Sequence, residues 1–157
     1  KDNYELVKEF KPVLEEKGID VDDEYLARVC GLIKEKASFL TEFWSFGYYF
    51  FQDPASYDEK VVRKKWNDQV PTFLENLRER LNKLDDFTSD SIEEAFKSLA
   101  SEMNEKPGKF MQLFRVVITG MGSGPALFEV VAVLGKQEVI KRIDQALQQM
   151  PSMAHDA

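Results

Sequence analysis

Apolar residues recur three and four positions apart along nearly the whole chain, and runs of strict alternation are scarce, so the pattern predicts an all-α protein. A first helix is expected over about 3–17, with Tyr4, Val7, Phe10, Val13 and Leu14 apolar, Pro12 as a kink point and Gly18 as its stop. A second follows Asp20 to Asp23, whose carboxylates suit a helix N-terminus, and carries Leu26, Val29, Cys30 and Ile33. From Ser38 to Phe51 the chain places Phe39, Leu40, Phe43, Trp44, Phe46, Tyr48, Tyr49, Phe50 and Phe51, which predicts one helix apolar on most sides and the core of a first lobe.

After the loop at 52–56, a short helix is expected from about Asp58 to Trp66. Pro71 opens another, with Leu74, Leu77, Leu81 and Leu84 on one stripe, and Thr88 is the expected N-cap of a helix bearing Ile92, Ala95, Phe96, Leu99 and Met103. Pro107-Gly108 breaks the chain and is the expected boundary between two small helical lobes, 1–107 and 108–157. Beyond it, a helix with Phe110, Phe114, Val117 and Ile118 runs to Gly120, and a glycine-rich loop leads to a helix starting at Pro125 and ending at Gly135. The last helix is expected over about 136–149, with a frayed tail after Pro151.

Composition narrows the chemistry. The chain has 157 residues and a net charge of −7, but residues 1–107 carry −8 and residues 108–157 carry +1. A net acidic chain is a poor default for binding a polyanion, so any nucleic-acid contact has to come from local patches. A single cysteine excludes an internal disulfide, and Cys30 reads as a small buried hydrophobe. The one histidine, His155, lies in a polar tail, so a histidine-based triad has little to draw on. The acidic pairs Asp22/Asp23 and Asp85/Asp86 sit at helix boundaries and read as caps rather than acid-base or metal groups. No catalytic group emerges. Neither a leader-like opening nor an apolar run approaching the ~20 residues of a membrane span is present, so the reading is soluble and cytoplasmic. The first residue is Lys rather than Met, which leads us to expect a processed chain or an excised piece of a longer one.

Two features invite ligands. Lys60, Arg63, Lys64 and Lys65 form the densest basic cluster, read either as a solvated face or as contacts to phosphate, which Lys and Arg make without reading sequence. Gly120, Gly122 and Gly124 do not make a phosphate loop, because a helix precedes them and the Gly-Lys-Ser/Thr element is missing. A loop of small residues ending at a helix still lets an irregular polar ligand, such as a splayed base, approach the backbone closely.

The segment LFRVVITGMGSGPALFEVVAVLGKQEVIKRI, residues 113–143, resembles the C-terminal anticodon-binding region of bacterial glutamyl-tRNA synthetases: Leu-Arg, a short apolar run, Thr-Gly, a variable loop, Pro-x-Leu-Phe-Glu and Leu-Gly-Lys. GLIKEKASFLTEF (31–43), GYYFFQDPASYDEK (47–60) and DDFTSDSIEEAFKSLASEM (85–103) extend the resemblance over nearly the whole chain. It implies two helical lobes that grip the anticodon loop of tRNA(Glu), in a monomer whose catalytic half, with its ATP and Mg, lies outside this sequence. No cofactor is implied for the segment itself.

The resemblance also implies contact residues. Lys36, at the end of the helix finishing in Lys34-Glu35-Lys36, aligns with a position that reads the third anticodon base, where Arg is usual. Arg forms a planar two-donor fork and Lys a point charge, so the replacement bears on discrimination at that base. The alternative is that Lys34 and Lys36 complement the helix dipole. Arg115 matches the Arg of Leu-Arg, with Phe114 where Leu is usual; it is read as a phosphate or base contact or as a surface charge. Gly124, Pro125 and Leu127 match positions that touch anticodon bases through backbone and apolar surface, and Thr stands in some members where Gly124 does. The rival reading from another class is a helical protein–protein interaction module that keeps the fold without binding RNA.

Overall fold

In the computed structural model, which describes residues 2–37 and 40–155, all regular structure among the described residues is helical. The chain divides into two compact units, Lys1–Asp53 and Pro54–Ala157. The lobe boundary expected at 107/108 falls inside the second unit, because the helices on either side share a core. Phe73 stacks on Phe110 with ring centroids 4.0 Å apart, and Phe96 meets both Phe114 and Phe128 at 5.4 Å.

The first unit consists of α1 (Asn3–Glu16), α2 (Asp23–Ile33) and α3 (Leu40–Gly47), followed by a 3₁₀ turn at Tyr48–Phe50. Asp2 and Asp22 cap α1 and α2, accepting backbone N–H groups of Glu5 at 2.9 Å and Tyr25 at 2.7 Å. Pro12 sits inside α1, and Gly18, at φ 74°, follows its end. The long aromatic helix expected over 38–51 instead stops at Gly47, where the backbone comes so close to Ile33 that a Cβ would overlap that side chain. Phe39 lies outside the described residues. Of the other rings, Phe43, Tyr49 and Phe50 fill the core, with Phe10 meeting Phe43 edge-on at 5.6 Å, while Trp44, Tyr48 and Phe51 are half-buried and Phe46 is exposed.

Cys30 is fully buried in this unit, and burial pushes its thiol up to about 11. Because the thiolate is the reactive form, a thiol reagent at neutral pH should leave the folded chain unmodified and should titrate its one cysteine only in denaturant.

The second unit holds α4 (Glu59–Lys65), α5 (Val70–Asn82), α6 (Ser89–Glu102), α7 (Gly108–Thr119), α8 (Leu127–Leu134) and α9 (Lys136–His155). α9 is its spine, packed against α4, α5, α7 and α8, while α6 rests on α5 and α8. Thr88 caps α6 as expected, in a reciprocal box with Ser91. Lys136 lays its ammonium on the carbonyls of Asn82, at 3.1 Å, and Leu84 at the end of α5, so the Gly-Lys pair has a structural task. α9 runs through Pro151 rather than fraying there: Met150 is fully buried, and Pro151 forgoes one backbone hydrogen bond close to the helix end, where the loss is tolerable. Among the described residues no helix is long and apolar enough to cross a membrane.

Candidate functional site

The loop from 120 to 126 is fastened at its root, its middle and its exit. At the root, Gly120 takes the left-handed conformation, φ 81°, and its N–H donates to Val116 O at 2.8 Å. Its carbonyl accepts the Asp58 N–H at 2.9 Å, and a Cβ there would run into the Ser56 carbonyl oxygen and lie 3.0 Å from Pro54 Cβ. The buried Thr119 hydroxyl donates to Arg115 O at 2.8 Å and accepts the Met121 N–H at 3.0 Å. In the middle, Gln112 Nε2 donates to Gly122 O at 3.3 Å. A Cβ on Gly122 would stand 3.1 Å from Val61 Cγ2 and 3.2 Å from Asp58 Oδ2, so a larger residue would have to push these side chains aside by a few tenths of an ångström for the loop to stay this close to the start of α4. At the exit, a terminal guanidinium nitrogen of Arg115 donates to Pro125 O at 2.7 Å.

Arg115, Gly124, Pro125 and Leu127 are therefore brought together, but in differing roles. Arg115 holds the loop through the Pro125 carbonyl, which also explains why α8 begins at Leu127 rather than at Pro125. Pro125 and Leu127 are buried, Gly122 and Gly124 are half-buried, and Ser123 is exposed. What the loop offers outward is backbone, the Ser123 hydroxyl, the Ala126 methyl and part of Met121, a mostly small-residue surface suited to close approach by a planar polar group.

α4 carries the basic cluster. Asp58 caps it, accepting the Val61 N–H at 3.2 Å, while Val61 and Val62 bury its inner side. Lys60, Arg63 and Lys64, at spacings of three and four, share an exposed face; Arg63 lies 3.6 Å from Glu59, and Lys65 is half-buried. The Asp58–Gly120 hydrogen bond joins this helix to the loop. Lys36 belongs to the first unit. α2 ends at Ile33, earlier than the sequence pattern suggests, and Lys36 stands exposed in the turn that follows, its N–H donating to Ile33 O at 2.9 Å.

Sequence reasoning missed three residues of this site. Asp58 stood at the expected start of the short helix, where an aspartate suits the N-cap, but nothing local pointed to its backbone bond with Gly120, and Gln112 gave no signal beyond being polar on a helix. Arg142 did give one: it falls within the buried stripe Val139, Ile143, Ala146 and Met150, where a charge is out of place unless paired. Its side chain is 2% exposed, and its guanidinium donates to Glu138 Oε2 at 2.8 Å and Ile118 O at 2.7 Å. Among the described residues no group of three or more His, Cys, Asp or Glu side chains could hold a metal ion.

Comparison with known proteins gives the site its context. Residues 5–147 match the family model described as an anticodon binding domain. The chain is similar to the glutamate–tRNA ligase of Flavobacterium johnsoniae, 41% identical over 143 residues that make up 91% of this chain and 28% of that protein. The crystal structure of a glutamate tRNA ligase from Elizabethkingia meningosepticum, in complex with its amino acid, superposes with a TM-score of 0.89 at 33% identity, covering 96% of this chain and 30% of that one. The glutamate-tRNA synthetase of Elizabethkingia anophelis gives 0.82 at 32% identity, covering 95% and 29%. The chain thus spans less than a third of the length of these relatives.

Proposed function

Because this chain belongs to the anticodon binding domain family, matching the C-terminal region of bacterial glutamate–tRNA ligases, we propose that it recognises the anticodon loop of tRNA(Glu) and positions that tRNA for glutamylation. The activating chemistry, with ATP and Mg, belongs in this reading to a catalytic portion of a longer, cytoplasmic and monomeric ligase. The observation that carries the reading is the family match itself, since 5–147 encloses every candidate contact from Lys36 to Leu127.

The site chemistry supports it. Single-stranded RNA is recognised by splaying loop bases and hydrogen-bonding their edges, and a fixed loop of small residues allows such a base to reach backbone groups. In this reading the 120–126 loop, held by Arg115, receives bases, Lys36 reads the third anticodon base, and Lys60, Arg63, Lys64 and Lys65 attract phosphate. The acidic balance of the chain makes the last contribution local rather than global.

Binding of the chain to anticodon stem-loops of the glutamate and glutamine tRNAs, at stated salt, tests the proposal. Lys36→Ala should lose about 1–3 kcal/mol with the cognate loop and less with a loop altered at the third anticodon base. Lys64→Ala should weaken all loops alike and reduce the salt slope by about one. Equal losses on both loops for Lys36→Ala would remove its base-reading role. No preference for stem-loops over a scrambled RNA would leave the protein–protein module standing.

A further inference from the structure

We propose that Arg142 is a positioning residue for the 120–126 loop, fixing the end of α7 from which the loop springs. A helix leaves its last carbonyls without partners along its own axis, and Ile118 is one of these in α7. Arg142 reaches across from α9 to supply the missing donor at 2.7 Å, placing a positive charge at the negative end of the α7 dipole. Glu138, one turn back on α9, balances that charge at 2.8 Å and stays partly exposed.

Stability alone is a weak reason for this arrangement. Burying an ion pair carries a desolvation cost that its attraction need not recover, and apolar replacements of the same volume are often neutral or better. Geometry gives a stronger reason. Ile118 and Thr119 lead directly into Gly120, whose carbonyl must meet the Asp58 N–H, and Gly122 must then fit beside Val61 and Gln112. A displacement of the α7 end would be passed to each of these contacts. Arg115 fixes the loop exit on Pro125, so the two arginines hold opposite ends of one segment.

The consequence for RNA rests on the anticodon reading; the consequence for the loop does not. In the full 157-residue chain, Arg142→Met should raise the hydrogen-exchange rates of the hydrogen-bonded amides that root the loop, those of Asp58, Gly120 and Met121, about tenfold while those of α5 and α6 stay protected, with Arg142→Lys intermediate. Stem-loop affinity should fall by about tenfold for Arg142→Met with an unchanged salt slope, because the side chain is buried away from phosphate. Unchanged loop exchange, or a uniform loss of protection through the second unit, would overturn the positioning role. A salt slope lowered by about one would replace it with direct phosphate contact. If Arg142→Met does not fold, Arg142→Lys decides, since it keeps the charge but not the planar fork that reaches both Glu138 and Ile118. Failure of the wild-type chain to bind any stem-loop would reject the anticodon reading, and the exchange measurement would still decide the role of Arg142.

Discussion

Phe96→Ala should lower the unfolding free energy of the Pro54–Ala157 unit by about 3–5 kcal/mol, a large part of the 5–15 kcal/mol typical of a folded domain. Phe96 is fully buried on α6, with rings from three other helices around it: Phe73 of α5 at 5.0 Å, Phe114 of α7 and Phe128 of α8. Removing it deletes apolar burial and leaves a cavity lined by rigid aromatic rings that cannot collapse into it. The two tryptophans allow each unit to be followed separately, because Trp44 lies in the first and Trp66 in the second. On a Trp44→Phe background, the urea midpoint read from Trp66 should fall steeply for Phe96→Ala and only modestly for Phe96→Leu. A loss below about 1 kcal/mol for Phe96→Ala would mean that this aromatic cluster is not the centre of the unit.

Gly120→Ala should cost the same unit about 2–4 kcal/mol, more than an alanine in the left-handed region costs by conformation alone. At φ 81° the substitution is strained whatever the space, and here the new methyl also meets the Ser56 carbonyl, a backbone group that cannot turn aside. Relief would require the Asp58–Gly120 hydrogen bond to open. Gly18→Ala is the control: φ is 74°, nothing lies within 4 Å of a Cβ, and its cost should stay near 1 kcal/mol in urea unfolding of the first unit. Similar losses at the two sites would show that the 54–58 segment yields, and that the loop is not clamped against it.

Much of the fold was legible in the chain because it depends on local rules. Helical spacing located all nine helices seen among the described residues, and short-range capping fixed several starts, at Asp22 and Thr88 for example. The ends were less legible. α3 stops at Gly47, where the Ile33 side chain leaves no room for a Cβ, and Pro151 is carried inside α9 beside the fully buried Met150; both contexts are set by tertiary packing. The expected break at Pro107-Gly108 shows the same limit, since a strong local signal for a chain break says nothing about whether Phe73 and Phe110 share a core across it.

For the site, residue types and spacing alone determined the glycine-rich loop and the basic helix as the places to look, and the motif pattern supplied the family. Only the tertiary structure decided what individual groups do there. Arg115 donates to the Pro125 carbonyl, Leu127 is buried, Lys136 donates to carbonyls at the end of α5, and Arg142, a charge within an apolar stripe, donates to the end of α7. The physical reason is that helix periodicity is a property of neighbours along the chain, whereas an orphan carbonyl at a helix end finds its donor wherever packing brings one, here 24 residues away.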